Sequence, residues 1–192
     1  MLEIAGAGAA SGRLPVVGVM GSGVHSHESL ARPLGQGLAR IGVHLLTGGG
    51  GGVMASVSRG FAEVEDRAGL VIGVMPAATE GPTQAPEGYP NRWVEVAIRT
   101  HLNRDGDDSA SRNHVNILTS NVVVALPGGR GTASEVALAI RYGRPLVVLG
   151  DLQRMRTLPA CVDGPMRASV QTAETAREAL GFVREFAECR AK

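Results

Sequence analysis

Five short runs of the chain, Val16–Met20, Val43–Leu46, Leu70–Val74, Val122–Leu126 and Leu146–Leu149, are rich in Val, Ile and Leu without polar alternation. Unbroken apolar runs of this length predict parallel strands covered on both faces. Between them the apolar positions switch to helical spacing. Leu30, Leu34, Leu38 and Ile41 share one stripe, Val53, Val57, Phe61 and Val64 a second, and Ala133, Val136, Ala137 and Ile140 a third.

The recurring order β-α-β-α-β predicts an α/β chain with a Rossmann-like, doubly wound, mostly parallel sheet flanked by helices. In that architecture ligands sit beyond the carboxyl ends of the strands, and three glycine loops fall at that edge. They are Gly21-Ser22-Gly23 after the first strand, Gly48-Gly49-Gly50-Gly51-Gly52 after the second, and Gly128-Gly129-Arg130-Gly131 after Val122–Leu126. Pro76–Pro90 is rich in Pro, Gly and Thr and predicts a loop, followed by an extended piece at Trp93–Ile98 and a polar loop at Asn103–Asp108. Loops this long in a compact domain tend to be lids or partner contacts. From Ser109 a helix is expected, with Arg112, Asn113, Asn116 and Ser120 on one face and Val115 and Leu118 on another. Ala176, Ala179, Leu180, Val183 and Ala187 predict an amphipathic closing helix.

The chain has 192 residues and no break in composition, which suits one domain over residues 15–192 behind a loose, flexible arm at residues 1–14. Its 19 basic residues are all arginine except Lys192, and they are balanced by 18 acidic ones to a net charge of +1. Without a basic cluster, nucleic-acid binding is not expected. A lone lysine at the last position disfavours pyridoxal-phosphate chemistry, and the missing Gly-Lys-Ser/Thr excludes a P-loop. Cys161 and Cys189 lack ligand spacing and predict two reduced thiols in a cytoplasmic protein. No apolar run approaches the roughly 20 residues that span a bilayer.

The glycine loops narrow the chemistry. Gly21-Ser22-Gly23-Val24-His25-Ser26 lacks the third glycine of a dinucleotide fingerprint, and the second strand ends in Thr47-Gly48 where a ribose-binding acid is wanted. That argues against NAD and leaves phosphate binding. Gly48–Gly52 and Gly128–Thr132 form a candidate anion cradle, because glycine lets the backbone approach a ligand and the helix that follows presents free N–H groups. Glu135 is placed in the first turn of that helix, where Thr132-x-x-Glu135 also fits a capping box. At the lip of an anion cradle the same carboxylate could stabilise an oxocarbenium-like centre or orient a water. Arg112, in the polar Ser111-Arg112-Asn113-His114 run, is a candidate inward-facing guanidinium for phosphate or sugar. His25 and His27 have no supporting ligand set, so no metal is expected.

Arg112 and the motif Pro127-Gly128-Gly129-Arg130-Gly131-Thr132-Ala133-Ser134-Glu135 resemble the Lonely Guy (LOG) family, long mislabelled as lysine decarboxylases. The stretch from Thr47-Gly48-Gly49-Gly50 to Gly52-Val53-Met54 resembles that family's other glycine motif, and the likeness covers about Pro15 to Gly150. It implies dimeric phosphoribohydrolases that split a nucleoside 5′-monophosphate into free base and ribose 5-phosphate, with no cofactor. Arg112 and Glu135 are the implied catalytic pair. Gly21, Ser22 and Gly23 would border sugar and base, while Gly48, Gly49, Gly50, Gly128, Gly129, Arg130, Gly131 and Thr132 would hold the phosphate.

Two positions depart from that family's usual pattern: Asn113 stands where Lys follows the arginine, and Ser134 where an acid precedes the glutamate. The runs Ser111-Arg112-Asn113-His114-Val115-Asn116 and Ala133-Ser134-Glu135-Val136-Ala137-Leu138-Ala139 resemble the molybdenum cofactor carrier proteins more closely. Those hold a pterin monophosphate without turning it over, although they tend to have lost the intact Pro-Gly-Gly retained here. Two readings follow: the preferred one is a nucleotide phosphoribohydrolase, and the alternative is a non-catalytic carrier or sensor of a phosphate-bearing ligand such as the molybdenum cofactor. Either is expected to be a homodimer or higher homo-oligomer with no nucleic-acid or membrane partner.

Overall fold

A computed structural model describes residues 13–78, 86–102, 109–150 and 170–189. Residues 1–12 of the arm expected at residues 1–14, Cys161 and the loop at residues 103–108 lie outside the described residues, as does part of the loop expected at Pro76–Pro90.

Among the described residues seven strands, β1 (Val16–Met20), β2 (His44–Thr47), β3 (Val71–Met75), β4 (Val96–Arg99), β5 (Val122–Ala125), β6 (Leu146–Leu149) and β7 (Val170–Ala173), form one sheet. Its order is β4-β3-β2-β1-β5-β6-β7, and every pairing is parallel. The helices are α1 (Glu28–Ile41), α2 (Val53–Ala62), α3 (Asn113–Thr119), α4 (Arg130–Arg141) and α5 (Ala176–Cys189). The chain winds outward from β1 to β4, then returns to lay β5 on the other side of β1. This is the doubly wound α/β fold that the apolar runs predict, and its topological switch point lies between β1 and β5.

The strands are apolar throughout because each face carries its own core. Val122, Val124, Val147 and Leu149 point to one side, where they meet Leu34 and Leu38 of α1, Val57 and Phe61 of α2, and Ala179 and Val183 of α5. Val123, Ala125, Leu146 and Val148 point to the other, against Ile117 of α3 and Val136, Ala139 and Ile140 of α4. The third predicted stripe therefore shifts: Val136 and Ile140 are buried as expected, while Leu138 and Ala139 are buried and Ala133 and Ala137 are only half-buried. On the exposed side of α1 and α2, Glu63 accepts from Arg32 Nε at 2.9 Å and from Arg59 Nε at 3.0 Å. Hydrogen bonding from Arg32, helped by Arg59 and Gln36, holds the Glu63 carboxyl below the usual carboxylate range.

The extended piece at Trp93–Ile98 becomes β4, an edge strand exposed along its length. Strand β7 was not anticipated, since Val170-Gln171-Thr172-Ala173 is half polar and needs cover on one side only. No described helix is long and apolar enough to cross a membrane.

Candidate functional site

Beyond the carboxyl ends of the central strands, the loops after β1, β2 and β5 are fastened to one another through Ser22. Its N–H donates to Pro127 O at 3.2 Å, and its carbonyl accepts from Val53 N at 2.8 Å, at the start of α2. Its Oγ accepts from Val24 N at 3.1 Å and His25 N at 2.9 Å. Gly52 is forced to be glycine: its φ is 58°, and a Cβ there would lie 2.3 Å from Ser22 O. At Gly128 a Cβ would fall 2.1 Å from Thr132 Oγ1, so the first turn of α4 packs directly on the loop before it.

These loops enclose a cavity of about 670 Å³ at the switch point. Of the residues singled out from the sequence, Gly21, Ser22, Gly23, Gly48, Arg112, Gly129, Arg130, Gly131, Thr132 and Glu135 all line it. Gly49, Gly50 and Gly128 do not. Gly49 N donates to Thr47 Oγ1 at 3.0 Å and Gly50 N to Met54 Sδ at 3.4 Å, so these amides turn back into the loop.

Helix α4 begins at Arg130, with Gly129 in an extended conformation as its N-cap. The residues of its first turn, Gly129–Thr132, line the cavity, and their amides have no partners inside the helix. This corrects two expectations. Thr132 lies inside the helix and makes no capping bond, so the Thr132-Glu135 capping box does not form. Glu135 falls in the second turn, not the first. There it is buried, and its Oε1 accepts from Asn116 Nδ2 of α3 at 2.9 Å.

Arg112 is the N-cap residue of α3 and is 4 % exposed. The helix expected from Ser109 thus starts four residues later, at Asn113. The Arg112 guanidinium donates through Nη1 to the main-chain carbonyls of Gly48 and Val74, tying the ends of β2 and β3 to α3. A Cβ at position 48 would lie 2.8 Å from Nη2 of the same group, so Gly48 makes room for it. Beside it, the Tyr89 ring has its centroid 5.5 Å from the Arg112 Cζ.

One wall of the cavity was missed by sequence reasoning. Glu87, Gly88 and Tyr89, from the connection between β3 and β4, line it together with Met20, Val24 and Met54. This segment is pinned to the five-glycine loop by Asn91, whose N–H donates to Gly49 O at 2.7 Å and whose Nδ2 donates to Gly50 O at 2.9 Å. Pro86-Glu87-Gly88-Tyr89 carries a Pro-x-Gly turn signature, the one local signal that could have marked it.

Residues 14–180 match the SLOG cluster4 family. The chain belongs to the SLOG cluster4 family. That places it in the LOG-like superfamily which its glycine motifs resemble. Among solved structures, this SLOG cluster4 chain is similar to the molybdenum cofactor binding protein of Rippkaea orientalis. The two are 32 % identical with a TM-score of 0.72, over 91 % of this chain and 98 % of that one. It is also similar to the molybdenum cofactor carrier protein of Chlamydomonas reinhardtii, at 34 % identity and a TM-score of 0.70, over 94 % of this chain and 100 % of that one. A protein of Archaeoglobus fulgidus is 26 % identical over 167 residues, which cover 83 % of this chain and 99 % of the relative.

Proposed function

We propose that this protein binds a heterocyclic monophosphate of the pterin or nucleotide kind and holds it intact, with the molybdenum cofactor as the first candidate cargo. One observation carries the reading: the cavity joins a helix N-terminus suited to an anion with a catalytic-type pair that is engaged by the protein itself. Arg112 is bonded to two main-chain carbonyls and Glu135 to the Asn116 amide, so both brace the walls of the cavity. Likeness to a molybdenum cofactor binding protein and a molybdenum cofactor carrier protein supports the same cargo. On this reading the protein is cytoplasmic and homo-oligomeric.

A second reading is favoured by the intact Pro127-Gly128-Gly129 motif and by Arg112 and Glu135 lining one cavity. In it the protein is a phosphoribohydrolase: water adds across the N-glycosidic bond, giving free base and ribose 5-phosphate, with Glu135 stabilising the oxocarbenium-like centre or orienting the water. One experiment separates the two. Nucleoside 5′-monophosphates and a neopterin monophosphate are offered to the parent and to Glu135→Gln, with binding followed by calorimetry and base release by chromatography. The carrier reading expects binding without release in both proteins. Release by the parent that disappears in Glu135→Gln would establish the hydrolase, and absence of all binding would remove both readings.

A further inference from the structure

The cavity has two ends carried by different elements of the fold. The anion-binding end belongs to α4, which follows β5, whereas Glu87-Gly88-Tyr89 follows β3. Asn91 fastens that segment to the glycine loop after β2, two strand spacings from β5 in the order β2-β1-β5, about 10 Å at the usual inter-strand distance. That matches the length of an extended nucleoside or pterin monophosphate, with its phosphate at α4 and its ring at the far wall.

What stands at the far wall is a carboxylate. Among the described residues that line the cavity, Glu87 and Glu135 are the acidic ones, and Glu135 is bonded to Asn116. Glu87 sits at the corner of a turn closed by Tyr89 N donating to Pro86 O at 3.0 Å, with Gly88 at φ 78° in the third position. The two Asn91 bonds fix this turn to the glycine loop, so the carboxylate is carried on an anchored backbone. Such an acid accepts two hydrogen bonds side by side. A ring edge offering an imino N–H next to an amino group, as in guanine and pterin, supplies both donors. Adenine presents a bare ring nitrogen there, which repels the carboxylate.

We propose that the ligand carries a 2-amino-4-oxo heterocycle, guanine-like or pterin-like, read at its imino–amino edge by Glu87 while its phosphate lies at the α4 N-terminus. The assignment rests on the binding function proposed above and adds to it the class of ring and the residue that selects it. The exposure of Glu87 limits the selectivity, so guanosine 5′-monophosphate should bind about tenfold more tightly than adenosine 5′-monophosphate, with inosine 5′-monophosphate between them.

Titration calorimetry of the full chain with these three nucleotides and a neopterin monophosphate, repeated on Glu87→Gln, tests it. The expected result is the stated order in the parent and its collapse to within about threefold in Glu87→Gln, whose Tm stays within about 2 °C because the side chain is on the surface. The tighter of the guanine and pterin probes identifies the source of the ring. Equal affinity for all probes in the parent overturns the ring assignment and leaves the binding function standing. A preference that survives in Glu87→Gln overturns the role of Glu87. Failure of every probe to bind removes the binding function and this inference together.

Discussion

Gly129→Asp separates folding from ligand binding because the two should move in opposite directions. A Cβ at position 129 meets nothing within 4 Å, and the residue lines the cavity as the extended N-cap of α4. An aspartate there suits the cap, where it is better than glycine by a few tenths of a kcal/mol, and its charge at the helix N-terminus adds about 0.3–1 kcal/mol. The variant should therefore melt at or above the parent temperature, by up to about 4 °C. For an anionic ligand the same change is adverse. A carboxylate about 5 Å from a phosphate charge costs about 3 kcal/mol at an effective dielectric constant of 20, more than a hundredfold in affinity.

Scanning fluorimetry of Gly129→Asp and Gly129→Ala, with and without guanosine 5′-monophosphate, reads both effects at once. The alanine variant supplies the steric control, and the aspartate variant alone should lose the ligand-induced rise in Tm. Retention of that rise by the aspartate variant would refute the placement of the phosphate at α4. A strongly destabilised aspartate variant would refute the cap geometry.

Gly52→Ala should cost about 3 kcal/mol, from a glycine-type backbone conformation and a Cβ driven into the main chain at Ser22 and Gly23; a denaturant midpoint equal to the parent's would contradict it. Gly48→Ala should push the Arg112 guanidinium off the carbonyls of Gly48 and Val74 and lower stability by about 2 kcal/mol, measurable by urea titration. Because the folded-state pKa of Glu63 is depressed, its ion pairs with Arg32 and Arg59 stabilise the fold above the unfolded carboxylate pKa. That contribution is lost as pH falls through the folded value. Glu63→Gln should accordingly flatten the acid limb of a Tm-versus-pH curve, and an unchanged limb would show that the network contributes nothing.

The sheet was legible because parallel strands buried on both faces leave an uninterrupted apolar signature, and six of the seven strands announce themselves by it or by a short extended run. Strand β7 escaped because half of it faces solvent and an edge needs no second apolar face. The convergence of glycine loops after β1, β2 and β5 followed from topology alone. What topology could not supply was orientation. Gly49 and Gly50 share the sequence signal of Gly48 and Gly51, yet their amides are consumed by Thr47 and Met54. The start of α4 was misplaced for a local reason. Glycine is an acceptable N-cap, so the helix begins at Arg130, and Thr132 and Glu135 move inside it together. The wall at Glu87–Tyr89 was illegible because Asn91 places it through main-chain carbonyls 41 and 42 positions away in sequence, Gly50 and Gly49, and no periodicity records such a contact.

The same bonds that hid these details bear on the function proposed for the cavity. Ser22 uses its amide, carbonyl and hydroxyl oxygen to clamp three loops, Thr132 fills the space that Gly128 leaves open, and Arg112 braces β2 against β3. The walls are thus held together by protein–protein bonds. Binding to such a cavity forfeits little conformational entropy, which favours tight and persistent occupancy. Hydrolysis makes a different demand, since groups that act on the reacting bond must strengthen their contacts in the transition state. Arg112 spends both Nη1 protons on the carbonyls of Gly48 and Val74, at two core strands, and a guanidinium tethered in this way has little freedom to move toward a developing charge. A cradle whose buried arginine is tethered to the main chain through Nη1 thus supports the proposed role of keeping a phosphate-bearing ring intact over that of breaking it.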